Sequence, residues 1–388
     1  MVTTIMASGA IAIDLMLPAF PEMRTDFGLA PDSSRVAWVI TAFFLGMAIG
    51  PWLFGPASDR YGRRGPLAAG LVLYVIGAVM AVLAPSFGMV VAARFIWGLG
   101  AGAPRALSTA IIRDRYEGNA MARLMSMIMA VFMLVPILAP ALGAGLMAFL
   151  PWRSVFALPA VIGIAMLLWM RRLPETLPPE RRRPFTWSSV GRAGREVLTH
   201  RQTMSLTLAM MFLFSVLAAY LGSAELILED VYHYGDWFPL FFGFISVMLA
   251  MSSLNNARLV ERVGVERLIS RMAIASLIAS AALLAISLTS DGLPNFWLFT
   301  IVLACMMPMT HGLVPNCNTV AMMPLPHVAG TATSIMSTIT TAGGALLGGL
   351  ASGAFDGTVR PFSGWVFVFV ALAALLIRFG STRRPAAS

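Results

Sequence analysis

Twelve long apolar runs constrain this chain more than any other feature. Their approximate bounds are 3–21, 36–54, 66–84, 87–110, 124–149, 153–170, 203–223, 238–256, 268–289, 295–315, 327–352 and 362–380. A membrane-spanning helix needs about 20 mostly apolar residues, and the runs are close to that length. Only 12% of the residues are charged, about half the share that soluble domains carry. The sequence therefore excludes a soluble globular enzyme and predicts an all-α membrane protein with 12 transmembrane helices.

The positive charge follows the pattern of membrane topology. All 27 basic residues are arginines, and 21 of them lie in alternate loops, the central linker and the tail. The loops on the other side contain only Arg24, Arg35, Arg153 and Arg360. Because arginines concentrate on the cytoplasmic side of membrane proteins, we expect both termini to be cytoplasmic. The net charge of +9 is thus explained without nucleic-acid binding.

The chain divides into two similar halves. A polar stretch rich in proline and arginine, residues 171–202, separates an amino-terminal bundle of six runs, 1–170, from a carboxy-terminal bundle, 203–388. A loop pattern recurs with an offset of 202 residues, as Gly55-x-x-x-Asp59-Arg60-x-Gly62-Arg63-Arg64 and as Ala257-x-x-x-Glu261-Arg262-x-Gly264-x-x-Arg267. Many secondary transporters are built from duplicated halves, so this repeat predicts transport.

Several motifs give the chain a family resemblance over its whole length. They are GPASDRYGRRG (55–65), Arg94-x-x-x-Gly98-x-Gly100-Ala101, Ala139-Pro140-x-x-Gly143-Ala144, IDLMLPAFP (13–21), LNNARLVERVG (254–264) and VPNCNTVAMMPLPHVAGTATS (314–334). With them the chain resembles the major facilitator superfamily and, within it, the Bcr/CflA type of drug:proton antiporter. The resemblance implies two six-helix bundles in the bacterial inner membrane, a monomer, drug-like substrates and protons as partners, and no cofactor.

Asp14 is the first candidate for proton coupling. It lies near the middle of the first run, with no basic residue close by in sequence. An ionised carboxylate at bilayer depth costs at least about 2.5–3.5 kcal/mol, which favours the protonated form. We therefore expect Asp14 to load and release a proton, and the matching aspartate in related antiporters has that role. The structural alternative is a carboxylate that only fixes a helix contact.

Arg94, in the fourth run, is the second candidate. Because an arginine does not lose its proton, it must form a pair, reach the interface or face a polar cavity. A fixed charge in the cavity would weaken proton binding by a nearby carboxylate, whereas an anchoring arginine would lie at the outer interface. The motif departs from the family at Trp97, where glutamine is common.

The substrate is expected to contact Asp14, Arg94 and a set of aromatic side chains chosen by position, namely Phe43, Phe44, Trp97, Phe132 and Tyr220. Glu225 stands near the outer end of the seventh run, where related sequences tend to have Ser-Pro. It is either a cavity carboxylate for a cationic substrate or a second proton, or a solvated group at a helix end.

The repeated loops predict a conformational latch. Its residues are Gly55, Asp59, Arg60, Gly62, Arg63, Arg64, Asp114, Glu261 and Arg262. Arg63 or Arg64 can reach Asp114 at the inner end of span four and so hold one state closed, although simple anchoring also accounts for the arginines. In the antiporter-like motif, Pro136, Pro140 and Gly143 are expected to form a hinge, because small residues and prolines permit close contact and bending.

These observations together predict a proton-coupled exporter of small, mostly hydrophobic drugs. Two alternatives remain: a carrier of the same fold for one metabolite, such as a sugar or siderophore, and a non-transporting receptor or membrane enzyme. The sequence contains no metal-ligand spacing, nucleophile–base pair or Walker loop, so we expect neither enzymatic activity nor a metal.

Overall fold

A computed structural model describes residues 2–116, 118–182 and 187–381 of the chain. Helices dominate these residues, and none of them forms a strand. The chain forms two compact units, Met1–Thr186 and Trp187–Ser388. Among the described residues, nine helical segments are long and apolar enough to cross a membrane. The three remaining predicted spans correspond to α1 with α2, α6 and α7, whose bounds follow.

In its described residues the first unit contains seven α-helices: α1 (Val2–Asp14), α2 (Phe20–Asp26), α3 (Trp38–Tyr61), α4 (Arg64–Val82), α5 (Phe87–Arg115), α6 (Gly118–Met147) and α7 (Ser154–Met170). Local sequence accounts for their ends. Ser86 caps α5 by accepting a hydrogen bond from the amide of Met89 at 3.4 Å, as N-cap serines do. Gly62 ends α3 with φ of +94°, a left-handed conformation that favours glycine.

The first apolar run does not form one straight span, which corrects the prediction of a helix over 3–21. After α1 the chain makes a turn at 15–16 and a 3₁₀ turn at Leu17–Ala19 before α2 begins. Pro18 and Pro21 explain the interruption, because proline lacks the amide hydrogen that would bond to the carbonyl four residues earlier. Asp14 therefore lies at the end of a helix and not in the middle of one.

Close backbone packing joins α3, α4 and α5. A methyl group at Gly50 would lie 2.6 Å from Cα of Gly102, so α3 and α5 touch through glycines, as small residues allow in membranes. Beside this contact is an apolar core of nine buried side chains: Phe54, Leu67, Leu71, Ala103, Leu107, Ile111, Met166, Met170 and Leu173. This packing fixes α5, the helix that carries Arg94.

Between residues 187 and 381 the second unit contains eight α-helices: α8 (Trp187–Thr199), α9 (Arg201–Leu226), α10 (Phe238–Val263), α11 (Val265–Thr289), α12 (Phe296–Met322), α13 (Ala329–Thr338), α14 (Gly344–Gly353) and α15 (Arg360–Ser381). A π-turn at Ile227–Val231 extends α9, and another at Ile339–Gly343 separates α13 from α14. The eleventh predicted run is therefore helical but locally widened. Such π-turns frequently occur at functional positions.

The predicted linker at 171–202 is partly helical. Helix α8 lies within it; Val197 is fully buried, whereas Arg195, two residues earlier and so on the opposite face, is exposed. An amphipathic helix of this kind suits a membrane–water interface.

The glycines of α14 pack on α9: a methyl group at Gly348 would lie 2.8 Å from the amide nitrogen of Ala219.

Candidate functional site

Asp14 occupies the point where the first helical segment breaks. Its side chain is buried, with 6% of the residue exposed. No ion pair or hydrogen bond found among the described residues involves its carboxylate. An ionised carboxylate in such a position is unfavourable unless a partner or water compensates it. Asp14 is thus a buried acid without a permanent basic partner in the described structure.

Arg94 contacts the same break from α5. It is fully buried, and its Nη1 donates a hydrogen bond to the carbonyl oxygen of Ala12 at 2.8 Å. Its Nε donates to the carbonyl oxygen of Val39 at 3.2 Å. The guanidinium therefore joins the start of α3 to the backbone two residues before Asp14. It pairs with carbonyl groups and not with a carboxylate.

Aromatic rings surround the Arg94 guanidinium. Its Cζ lies 4.4 Å from the ring centre of Phe43, 4.8 Å from that of Trp97 and 6.0 Å from that of Phe156. Cation–π attraction of this kind reaches about 2 kcal/mol where water is excluded. Trp97 thus gives the cation an aromatic face where glutamine, common in related sequences, would offer an amide. Nη2 of Arg94 is buried without a hydrogen-bond partner among the described residues.

Two glycines of the fourth-span motif bring α5 close enough for these contacts. A side chain at Gly98 would collide with the carbonyl oxygen of Phe43, and one at Gly100 with the amide nitrogen of Tyr74. Tyr74 in turn donates a hydrogen bond to the carbonyl oxygen of Ser8 at 3.1 Å. Its ring meets that of Trp97 edge-on, with 5.5 Å between centres. Arg94 and Tyr74 therefore both hold α1 through its backbone.

Gly143 of the antiporter-like motif touches the other side of the break. A methyl group on it would collide with the carbonyl oxygen of Leu15, the residue after Asp14. Pro136 and Pro140 lie inside α6, which continues through both of them. The glycine thus permits close contact between α6 and α1, while the hinge role predicted for the three residues stays a prediction.

The loop between α3 and α4 forms a charged network around Arg63. This arginine is 5% exposed; its Nη1 lies 2.6 Å from Oδ1 of Asp59, and its Nε lies 2.9 Å from Oδ2 of Asp114. Nη1 also donates to the hydroxyl of Ser58 at 2.8 Å. Burial alone would lower the pKa of Arg63, but the hydrogen bonds and charges of the two aspartates raise it overall. Arg63, and not Arg64, is the arginine that contacts Asp114.

Glu175, from the segment after α7, completes this loop network and was missed by the sequence analysis. Its Oε1 accepts hydrogen bonds from the amides of Arg63 at 2.7 Å, Thr176 at 2.9 Å and Leu177 at 3.0 Å. Its Oε2 accepts one from the amide of Arg64 at 3.1 Å. Partial burial alone would raise the pKa of Glu175, but these four bonds outweigh it and lower that pKa. The carboxylate therefore caps the start of α4.

The second copy of the loop keeps the backbone turn but not the charge network. Gly264 ends α10 with φ of +83°, as Gly62 ends α3. Position 265, which matches Arg63, is a valine. Glu261 and Arg262 are exposed, and no ion pair among the described residues includes either of them. The latch role of this pair stays a prediction without a matching contact.

Most of the aromatic and acidic side chains that are predicted to contact the substrate are buried. Phe43 and Trp97 are fully buried around Arg94, and Phe44 is 4% exposed. In the second unit, Tyr220 stacks on Phe242, with 5.5 Å between ring centres. Glu225 is 5% exposed, near the end of α9 and just before the π-turn at Ile227–Val231. Phe132 lies in α6, and its side chain lies outside the described part of the structure.

The burial of Glu225 argues against the second of its two predicted roles, a solvated group at a helix end. A carboxylate that is 5% exposed is not a freely solvated group at a helix end.

Gly55 and Arg60 of the predicted latch lie in the last two turns of α3, and the Arg60 guanidinium lies 5.1 Å from the ring centre of Tyr61. The substrate contacts themselves stay predictions.

The family model described as Major Facilitator Superfamily matches residues 2–349. The chain belongs to this superfamily. The predicted fold class, an all-α membrane protein with the major facilitator fold, is thereby confirmed, in agreement with the helices described above.

Named relatives indicate which type of transporter within the superfamily the chain resembles. The chain is 29% identical to the "Uncharacterized MFS-type transporter YdgK" of Bacillus subtilis, over 97% of this chain and 92% of that one. It is 28% identical to a "Bicyclomycin resistance protein homolog" of Haemophilus influenzae, over 96% and 92%. It is also 28% identical to the "Multidrug transporter MdfA" of Yersinia pestis, over 67% and 63%. These names confirm the resemblance to the Bcr/CflA type.

A solved structure supports the fold independently. The crystal structure of the human organic anion transporter MFSD10 (TETRAN) matches with a TM-score of 0.73 over 97% of both chains. Its sequence identity is 21%, so this similarity concerns the fold of the superfamily alone.

Proposed function

We propose that this protein exports small, mostly hydrophobic drugs in exchange for protons, by alternating access, in the bacterial inner membrane. The observation that carries the proposal is the buried carboxylate of Asp14 at a helix break, unpaired among the described residues, on the helix whose backbone the guanidinium of Arg94 binds. The relatives named for bicyclomycin resistance and multidrug transport support the choice of drugs as substrates. The distribution of arginines supports cytoplasmic termini.

In the proposed cycle, Asp14 takes a proton from the outer side, and loss of its charge releases the substrate. A membrane-buried acid with no fixed partner is suited to this role, because either protonation state can be reached without breaking an ion pair. Arg94 supplies a nearby positive charge that favours proton release. Since Arg94 bonds to the backbone of Ala12 and Val39, a shift of α1 or α3 would change its position relative to Asp14.

The loop network would stabilise one state of the cycle. Arg63 bonds to side chains of α3 and α5, and Glu175 bonds to the start of α4. These contacts would have to loosen or move as a rigid group when the helices rearrange. We therefore assign the latch to Asp59, Arg63, Asp114 and Glu175.

The proton gradient supplies enough energy for accumulation. One charge crossing a potential of 100 mV yields about 2.3 kcal/mol, which corresponds to roughly a fiftyfold concentration ratio.

Proton-driven flux in proteoliposomes tests the proposal. The probes are ethidium and bicyclomycin, the drug that the Haemophilus relative is named for. After a pH jump, wild type should move the probe, and Asp14→Asn should not. Asp32→Asn is the matched control, since Asp32 is an exposed acid in the loop after α2. Equal flux by Asp14→Asn and wild type would refute the coupling. Flux of one narrow metabolite and of neither drug would favour the dedicated carrier.

A further inference from the structure

The last turns of α10 carry an open cavity of about 350 Å³. Its lining residues are Asn255, Arg258, Leu259 and Arg262. Asn255 and Leu259 are four residues apart, as are Arg258 and Arg262, so all four lie on one face of the helix. All four side chains are exposed, so the cavity is a shallow depression on the surface of one helix. Two guanidinium groups within it make it a candidate site for an anion.

The depth of these residues matches that of lipid phosphates. Helix α10 has 26 residues and is therefore about 39 Å long, whereas the hydrocarbon core is about 30 Å thick. A helix of this length can reach the headgroup layer with its last turns. Arg262 is in the last turn, Arg258 is one turn earlier, and Leu259 between them is 42% exposed. This face thus presents two cations and an apolar side chain at the surface of the bilayer.

The arginines of this cavity lack the internal partners that the first copy of the loop possesses. Arg63 is compensated by Asp59 and Asp114, and Glu175 binds the neighbouring amides. In the second unit, neither Arg258 nor Arg262 takes part in an ion pair among the described residues.

Sequence explains the difference between the two copies. Valine stands at position 265, where the first copy has the central arginine. Arg267 and Arg271, at the start of α11, are also exposed and add positive charge to the same end of the unit. Only Glu261 and Glu266 oppose these four arginines in this stretch. The second copy therefore keeps a surplus of positive charge that an external anion can neutralise.

We propose that this cavity binds the phosphate of an anionic phospholipid headgroup. Arginine guanidinium groups match phosphate oxygens through paired hydrogen bonds, and the Asn255 amide adds a donor. Leu259 would contact the glycerol and the first methylenes of the acyl chains. Basic pockets at the cytoplasmic side of membrane helices suit such headgroups. Binding here would hold the end of α10 at the surface of the inner leaflet.

The test measures lipid binding by purified protein in detergent, and so does not depend on transport. Short-chain phosphatidylglycerol is titrated, and the thermal unfolding midpoint is followed. The double variant Arg258→Gln/Arg262→Gln should bind about 30-fold more weakly, since each arginine near the surface contributes about 1 kcal/mol. The matched control is Arg113→Gln/Arg115→Gln, which removes two exposed arginines from the end of α5. Its affinity should stay within about twofold of wild type.

Three further arms distinguish binding of the anionic headgroup from unspecific binding of lipid and from binding of free phosphate. Phosphatidylcholine of the same chain length should give no stabilisation that depends on the two arginines. Inorganic phosphate at equal concentration should stabilise far less than the anionic lipid. The double variant Arg258→Lys/Arg262→Lys should recover part of the affinity. The proposal is overturned if the control loses as much affinity as the glutamine double variant, or if that variant loses none. Equal stabilisation by inorganic phosphate would also overturn it.

Discussion

Arg94 donates a hydrogen bond to the backbone of Ala12, two residues before Asp14, across a distance of 2.8 Å. The cation thus contacts the helix that carries the acid without neutralising the acid itself. A direct ion pair would have to break in every cycle, at a cost of several kcal/mol in a buried setting. The observed contact holds the backbone of α1 and leaves the carboxylate of Asp14 available to a proton.

Arg94→Lys tests the importance of the two backbone contacts. Lysine keeps the charge, but its single ammonium cannot reproduce the planar fork that bonds to Ala12 and Val39 together. We expect proton-driven efflux to fall at least tenfold and the unfolding free energy to fall by about 1–2 kcal/mol. Arg113→Lys, at an exposed position near the end of the same helix, should change neither. Unchanged efflux by Arg94→Lys would show that charge alone suffices.

The aromatic cage makes a separate prediction for Trp97. Trp97→Phe keeps an aromatic ring over the guanidinium of Arg94. Trp97→Leu puts an apolar side chain without a π face at the same position. Both leave a cavity and should lower thermal stability. We expect the leucine variant to be less stable than the phenylalanine variant by about 0.5–2 kcal/mol, the contribution of one cation–π contact. Thermal unfolding of both proteins in the same detergent measures this difference, and equal midpoints would contradict it.

The sequence was sufficient to predict the fold, and it singled out the candidate residues whose roles stay predictions. Apolar runs indicated the spans, and the unusual acid at position 14 and arginine at position 94 stood out because charge is costly in a membrane. The break after Asp14 was not predicted, although Pro18 and Pro21 are a visible signal for it. Proline tolerance in membrane helices made a continuous helix equally acceptable.

Hydrogen-bond partners from distant parts of the chain could not be predicted from the sequence. Tyr74 bonds to Ser8 across 66 positions, and Glu175 bonds to the amide of Arg63 across 112. Neither residue belongs to a local charge pattern or a helical repeat. Only the folded backbone brings Glu175 to the amides that it caps. Its place after Leu-Pro, in a linker rich in charge, gave no reason to single it out.

Glu175 leads to a prediction about pH. Its pKa is lower in the folded protein than in the unfolded chain, so its stabilising effect is complete above the unfolded value of about 4.3. That effect is lost as the pH falls through the lowered folded value. Wild type should therefore lose thermal stability as the pH falls below about 4.3, and Glu175→Gln should lose less over that interval while being less stable at pH 7.

Glu180→Gln is the control for this experiment, because Glu180 belongs to the same segment and is exposed. It should follow the wild-type curve of midpoint against pH. If Glu175→Gln also followed that curve at every pH, the four amide bonds would contribute nothing measurable to stability.

Two glycines of α6, Gly143 and Gly145, differ in how closely other parts of the chain approach them. A methyl group at Gly143 would collide with the carbonyl oxygen of Leu15, whereas one at Gly145 would meet nothing within 4 Å. Gly143→Ala must push α6 away from the break at Asp14, so we expect lower stability and at least a tenfold loss of efflux. Gly145→Ala should retain efflux and gain up to about 1 kcal/mol, since alanine favours a helix more than glycine does.

Efflux assays and thermal unfolding of the two single variants measure both effects under identical conditions. Since the substitutions are chemically the same and lie two residues apart, general effects of alanine in a membrane helix cancel. A loss of efflux in both variants would indicate that α6 needs flexible glycines throughout. A loss confined to Gly143→Ala would locate the requirement at its contact with Leu15, next to the proposed proton site.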